Sequence, residues 1–193
     1  MQRIAVRRTA AAKGGAFMRR EMGAVIFFCL LLFLAGCAAR RGQDESAAAG
    51  EAYTVHTRIQ DVAEDPAFGD YGRLIFPVDS GYASGDTLGE LRLAWYSHID
   101  PDKTVEIANY LRDHALAGEA VFYDIYSEEE KAEDPDKEDT GLFFFRGEPG
   151  ARFAVCNAGG GFAYVGAMQD SFPHALELSK NGYNAFALIY RPG

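Results

Sequence analysis

Residues 157–162 read Asn-Ala-Gly-Gly-Gly-Phe, and they are where the residue types could do chemistry. Consecutive glycines leave backbone N–H groups unobstructed and let the chain adopt positive φ. Several such donors turned to one point make a site for negative charge. Two chemistries use such a site: phosphate binding, and stabilisation of the oxyanion of acyl transfer. The phosphate reading is weak, because neither Gly-x-x-x-x-Gly-Lys-Ser/Thr nor Gly-x-Gly-x-x-Gly is present. On composition alone the segment is equally compatible with a tight strand-to-helix turn.

The other reactive residue types offer less. The serines are Ser46, Ser80, Ser84, Ser97, Ser127, Ser171 and Ser179, and none lies in Gly-x-Ser-x-Gly. Ser171 reads as the N-cap of a helix over 172–181. His56 and His98 fall in loops, His114 on an amphipathic helix, and His174 in the first turn after the glycine segment. Each reads as structural or solvated. Cys156, within Phe-Ala-Val-Cys-Asn, reads as a small core residue rather than a nucleophile. The acidic run 128–139 lacks the glycine and terminal glutamate of a calcium loop in every register, so it reads as a solvated loop. No metal or cofactor is expected.

The elements that must position the glycine segment are legible around it. Residues 153–156 form an apolar run without alternation, typical of a strand buried on both faces. Ser171 to Asn181 reads as a helix stopped by Gly182, and Tyr183 to Tyr190 as another buried strand. Ahead of these, Ala120–Tyr126 and Leu142–Arg146 read as strands, with a turn at 147–150. Strand, strand, strand, glycine loop, helix, strand is a hairpin-like pair followed by a βαβ crossover, hence an α/β sheet. Further upstream, Asp100-Pro101 starts a helix that Gly118 stops. Thr87–Tyr96 reads as a short helix, with Leu88, Leu91 and Trp95 at helical spacing. Residues 53–86 read as irregular, with Leu74–Phe76 a short packed segment.

The stretch Leu142–Gly193 resembles the N-terminal half of an α/β-hydrolase domain of the lipase/esterase type. The resemblance rests on the strand Phe153–Cys156, the loop 157–162, the helix after it, and Gly182-Tyr183-Asn184-Ala185-Phe186-Ala187-Leu188-Ile189-Tyr190-Arg191. It covers about a third of the chain. It implies that 157–162 is the glycine-rich oxyanion loop that follows the third strand. Gly159, Gly160, Gly161 and Phe162 are then the oxyanion-hole candidates. Where the family has a histidine, Asn157 or Ala158 stands, so only backbone donation carries over. The implied fold class is α/β: an incomplete hydrolase-type mixed sheet of four strands and one crossover helix, with an N-terminal helical extension. The implied activity is hydrolysis of carboxyl esters or similar acyl compounds by a nucleophilic serine. The nucleophile, acid and histidine of that family are expected beyond Gly193, so the chain is expected to be truncated and inactive as it stands. The alternative is a non-catalytic lipoprotein that uses the glycine loop to bind a ligand or partner.

The N-terminus reads as an address. Residues 23–36 are an apolar run after Arg19 and Arg20, shorter than the roughly 20 residues of a membrane span. Charge and length fit a signal peptide, and Leu34-Ala35-Gly36-Cys37 resembles the lipobox of bacterial lipoproteins, with Cys37 as the acylated residue. Met18 and Met22 are alternative starts. The expected organisation is a signal peptide at 1–36, a small-residue tether at 37–52, an irregular and helical extension at 53–118, and the hydrolase-like part at 119–193. The expected location is the bacterial cell envelope, anchored by lipid at Cys37.

Composition agrees. The chain is 193 residues long, 48% hydrophobic and 24% charged, which excludes disordered and collagenous classes. Net charge is −9, but six basic residues and only Glu21 of the acids lie in the first 36, leaving 13 basic and 27 acidic residues after them. Such a body is a poor ligand for nucleic acid and does not adhere electrostatically to anionic lipid. The partners expected are a small ester or amide, and the membrane through Cys37.

Overall fold

The computed structural model describes residues 50–77 and 80–192. The expectations for the signal peptide, for Cys37 and for most of the tether fall outside the described residues. The chain divides into two units, Met1–Gly50 and Glu51–Gly193, and the second is described here. No described helix is long and apolar enough to cross a membrane.

The second unit begins with a short helix, α1 (Ile59–Ala63), and a 3-10 segment, Pro66–Leu74, that breaks at Gly69. The sequence reading left this region irregular. Its apolar spacing is short, yet Ile59, Val62, Phe68, Ile75 and Phe76 are all buried. A two-stranded hairpin follows, β1 (Ala83–Ser84) antiparallel to β2 (Arg92–Leu93). The helix expected over 87–96 does not form. The amides of Leu88 and Gly89 donate to the carbonyls of Thr57 and Val55 instead of completing a helical ladder. A side chain at Gly89 would collide with Val55, so tertiary packing has overridden the helical spacing. Leu88 and Leu91 are buried, but Trp95 is 68% exposed.

Helix α2 (Pro101–Leu116) forms as the sequence dictates. The Asp100 carboxylate accepts from the amides of Asp102 and Lys103, and Pro101 occupies the first turn. Gly118 ends the helix at φ +76. Ile107, Ala108 and Leu111 are fully buried.

The main sheet has four strands: β3 (Phe122–Tyr123), β4 (Gly141–Phe145), β5 (Phe153–Asn157) and β6 (Asn184–Ile189). Their order is β3-β4-β6-β5, antiparallel for the first two pairings and parallel between β5 and β6. The first strand is shorter than the run 120–126 suggested. Between β3 and β4, Ser127 and Glu130 form a capping box that starts an exposed helix, α3 (Glu128–Glu133), where a loop was expected. Helix α4 (Ser171–Lys180) crosses from β5 to β6. Ser171 is its first residue rather than its cap, and its buried hydroxyl has no partner among the described residues.

The sheet has two unlike faces. On one, Phe143, Phe145, Ala185, Ala187 and Ile189 are buried. Phe172 of α4 lies edge-on to Phe143 at 4.9 Å, and Tyr110 of α2 stacks on Phe145 at 5.3 Å. The extension 53–118 and the sheet thus share one apolar core. On the other face Phe144 and Phe186 stack at 4.7 Å, with the Arg146 guanidinium over Phe144. Strand β5 was expected to be buried on both faces. It lies at the sheet edge, paired among the described residues only with β6, and Phe153 and Val155, 73% and 50% exposed, lie on the outer face that also carries Phe186.

Candidate functional site

The glycine segment leaves the C-terminal end of β5 and leads towards α4, in a parallel β5-α4-β6 unit. Its backbone folds back on itself. The Gly160 carbonyl accepts from the amides of Ala163 and Tyr164, and the Gly159 carbonyl from the amide of Gly166. Tyr190 Oη donates to the Ala158 carbonyl at 3.0 Å. The carbonyls are therefore engaged from within the loop. A side chain at Gly160 would stand 1.8 Å from the Tyr164 carbonyl oxygen, with φ at +149, so this position requires glycine.

The amides behave differently. Gly159 N donates to Asp170 Oδ2 at 2.8 Å. This corrects the sequence-based set, since the Gly159 N–H is already engaged. The amides of Gly160, Gly161 and Phe162 donate to no acceptor among the described residues. Gly160 is buried, while Gly161 and Phe162 are exposed. A buried backbone N–H without a partner is rare in folded proteins. Three successive donors are thus left without an acceptor, on a turn where Gly161 and Phe162 have left-handed φ of +62 and +61, and such donors are available to a polarised oxygen.

Asp170 organises this geometry and was not singled out in the sequence. It precedes α4, yet its carboxylate caps no helical amide. It turns to the loop instead, accepting from Gly159 N and from Tyr96 Oη at 3.0 Å. Burial, with this carboxylate beside it, pushes the Tyr96 phenol well above its ordinary range, so the phenol stays protonated and keeps donating. His174, one turn on, reaches only 3.6 Å from Asp170 and is exposed.

Three aromatic residues stand beside the loop: Trp95 and Tyr82 from the hairpin, and Tyr164 from the loop itself. Tyr164 Oη donates to the Ala94 carbonyl. Trp95 stacks on Tyr164 at 5.7 Å, and Tyr82 lies 5.2 Å from Trp95 and 5.3 Å from Tyr164. The helical spacing of Leu88, Leu91 and Trp95 predicts a helix face for Trp95; its exposure follows from the turn that replaces that helix. A groove of about 590 Å³ opens past the loop, lined by Leu74, Phe76, Tyr164, Val165, Ile189 and Tyr190 among others.

No nucleophile is assembled among the described residues. The Ser80 and Ser179 hydroxyls donate to the carbonyls of Pro77 and Leu176, and Ser127 caps α3. No described serine is hydrogen-bonded to a histidine. Burial, with Asp170 adding to it, pushes the Cys156 thiol up, which keeps it protonated and unreactive. His114 pairs with Glu119 at 2.5 Å and His98 borders a small surface cleft. The site can donate hydrogen bonds to an oxygen; by itself it cannot attack a carbonyl. No family model, curated protein or solved structure matches the chain significantly.

Proposed function

We propose that residues 53–192 carry the oxyanion-stabilising part of an α/β-hydrolase-type serine hydrolase, held at the bacterial envelope by lipid on Cys37. The reaction is acyl transfer from a carboxyl ester or related acyl compound. As a serine attacks, the carbonyl oxygen gains charge, and the amides of Gly160, Gly161 and Phe162 receive it. One such donor is worth about 3–4 kcal/mol in the transition state. Neutral backbone donors do this without cationic side chains, so the acidity of the body is no obstacle.

The observation that carries the reading is the run of three amides without acceptors at the end of β5. The sheet supports it. In the hydrolase family the third strand is flanked by the fourth and the fifth; here β5 pairs with β6 on one side, and no described residue pairs with its other edge. Phe153 and Val155 leave apolar surface on the outer face beside that edge, which the helices of a larger hydrolase sheet would cover. The reading requires a nucleophilic serine, an acid and a histidine that the described residues do not assemble.

The test is to read the coding DNA past the Gly193 codon in all frames and express the joined chain. The expected result is a Gly-x-Ser-x-Gly followed by an acid and a histidine, with turnover of p-nitrophenyl acetate. Gly161→Ala keeps its amide but puts a side chain at positive φ against Trp95, so it displaces the donor and should then lower kcat by about a hundredfold. A stop with no such segment, or a joined chain that hydrolyses no ester, overturns the enzyme reading and leaves the ligand-binding lipoprotein.

A further inference from the structure

Two non-glycine residues among those described adopt positive φ: Trp95 at +69 and Phe162 at +61. Bulky side chains are rarely found there, and such outliers persist where the surrounding fold over-determines them. Both rings are turned outward, 68% and 74% exposed. Both residues border the glycine loop. An indole carbon of Trp95 lies 3.2 Å from where a side chain on Gly161 would begin, and Phe162 is the next residue. Behind Trp95 the wall is firm: Tyr164 is 1% exposed, anchored on the Ala94 carbonyl, and stacked against both Trp95 and Tyr82.

We infer that Trp95, with Tyr82, is a stacking wall for the flat aromatic part of a ligand whose carbonyl oxygen meets the amides of Gly160, Gly161 and Phe162. The substrate class is an aryl ester or aryl amide rather than a short aliphatic one. The carbonyl end of this inference rests on the acyl-transfer reading; the ring end rests on the aromatic cluster alone. A neutral ligand fits better than a carboxylate, because Asp170 places a negative charge at the loop. Tyr82, Trp95 and Tyr164 already lie within 20–35° of one another at 5.2–5.7 Å, so the exposed indole is held in an orientation that a further ring can pack against.

The test uses the full chain labelled with ¹⁵N-glycine, titrated with benzamide and with acetamide. Both probes present the same carbonyl acceptor and neither is charged. The Gly160 and Gly161 amide resonances should shift with both, and benzamide should bind about tenfold more tightly, the worth of one good aromatic stack. Trp95→Leu and Tyr82→Leu should abolish that preference, bringing benzamide down to the affinity of acetamide. Equal affinity of the two probes for the native chain overturns the stacking wall and leaves the amide site intact. Failure of either probe to move the glycine resonances overturns both. Should Trp95→Leu lose its fold, the native comparison and the Tyr82→Leu chain still decide.

Discussion

Asp170 holds the glycine loop by two hydrogen bonds, one from the Gly159 amide and one from the Tyr96 hydroxyl. Removing its carboxylate leaves two donors without an acceptor, which costs about 1–3 kcal/mol. Asp170→Ala should therefore lower the urea midpoint by the corresponding amount; a change within error would mean the loop is held by its backbone bonds alone. A second carboxylate makes a pH-dependent contribution. Burial would raise the Asp65 pKa, but hydrogen bonds from Tyr53, from the Ala67 amide and from Arg112 hold it below its ordinary value. A carboxylate with a lowered folded-state pKa contributes stability above its unfolded pKa, and that contribution is lost as pH falls through the folded value. Unfolding free energy should thus fall below about pH 4, and less steeply in Asp65→Asn, as measured by urea titration across the acid range.

At the scale of elements, the clearest sequence signals were local and self-contained. Asp100-Pro101 at one end and Gly118 at the other bound α2 without help from tertiary structure. Asp100→Ala should cost about 1 kcal/mol of stability by calorimetry. The order of β4, β5, α4 and β6 was also readable, because each apolar run is closed by a glycine or a turn. The segment 87–96 was not. Its leucines have helical spacing, but the amides of Leu88 and Gly89 are taken by the backbone of residues 55–57, and no local pattern announces a partner 30 residues away. The same misreading hid Trp95, which sits on a turn and not on a helix. Within the loop, sequence could locate the glycines, but could not say that Asp170 would engage Gly159 and leave the next three amides free. Gly161→Ala forces a side chain into positive φ against Trp95 and should cost about 1–3 kcal/mol of unfolding free energy. At Gly160 the same change meets the Tyr164 carbonyl directly, so that variant should yield little folded protein.

For the molecule as a whole, the apolar outer edge of β5 is the main liability. Phe153 and Val155 lie on a strand whose outer hydrogen-bonding groups have no partner among the described residues, and such edges template association with other chains. The full chain should self-associate with rising concentration. Phe153→Lys combined with Val155→Lys should suppress this, because charge on an edge opposes pairing. Light scattering against concentration reads the difference, and a native chain that stays monomeric at high concentration removes the argument.

Trp95 is the single tryptophan of the chain, and it stands in solvent against the glycine loop. The protein therefore carries its own optical reporter at the place where an occupant would settle. Its ultraviolet emission, which depends on how much water surrounds the indole, shifts when that surface is covered. Unlabelled material can thus be screened against collections of small molecules before any reaction is known.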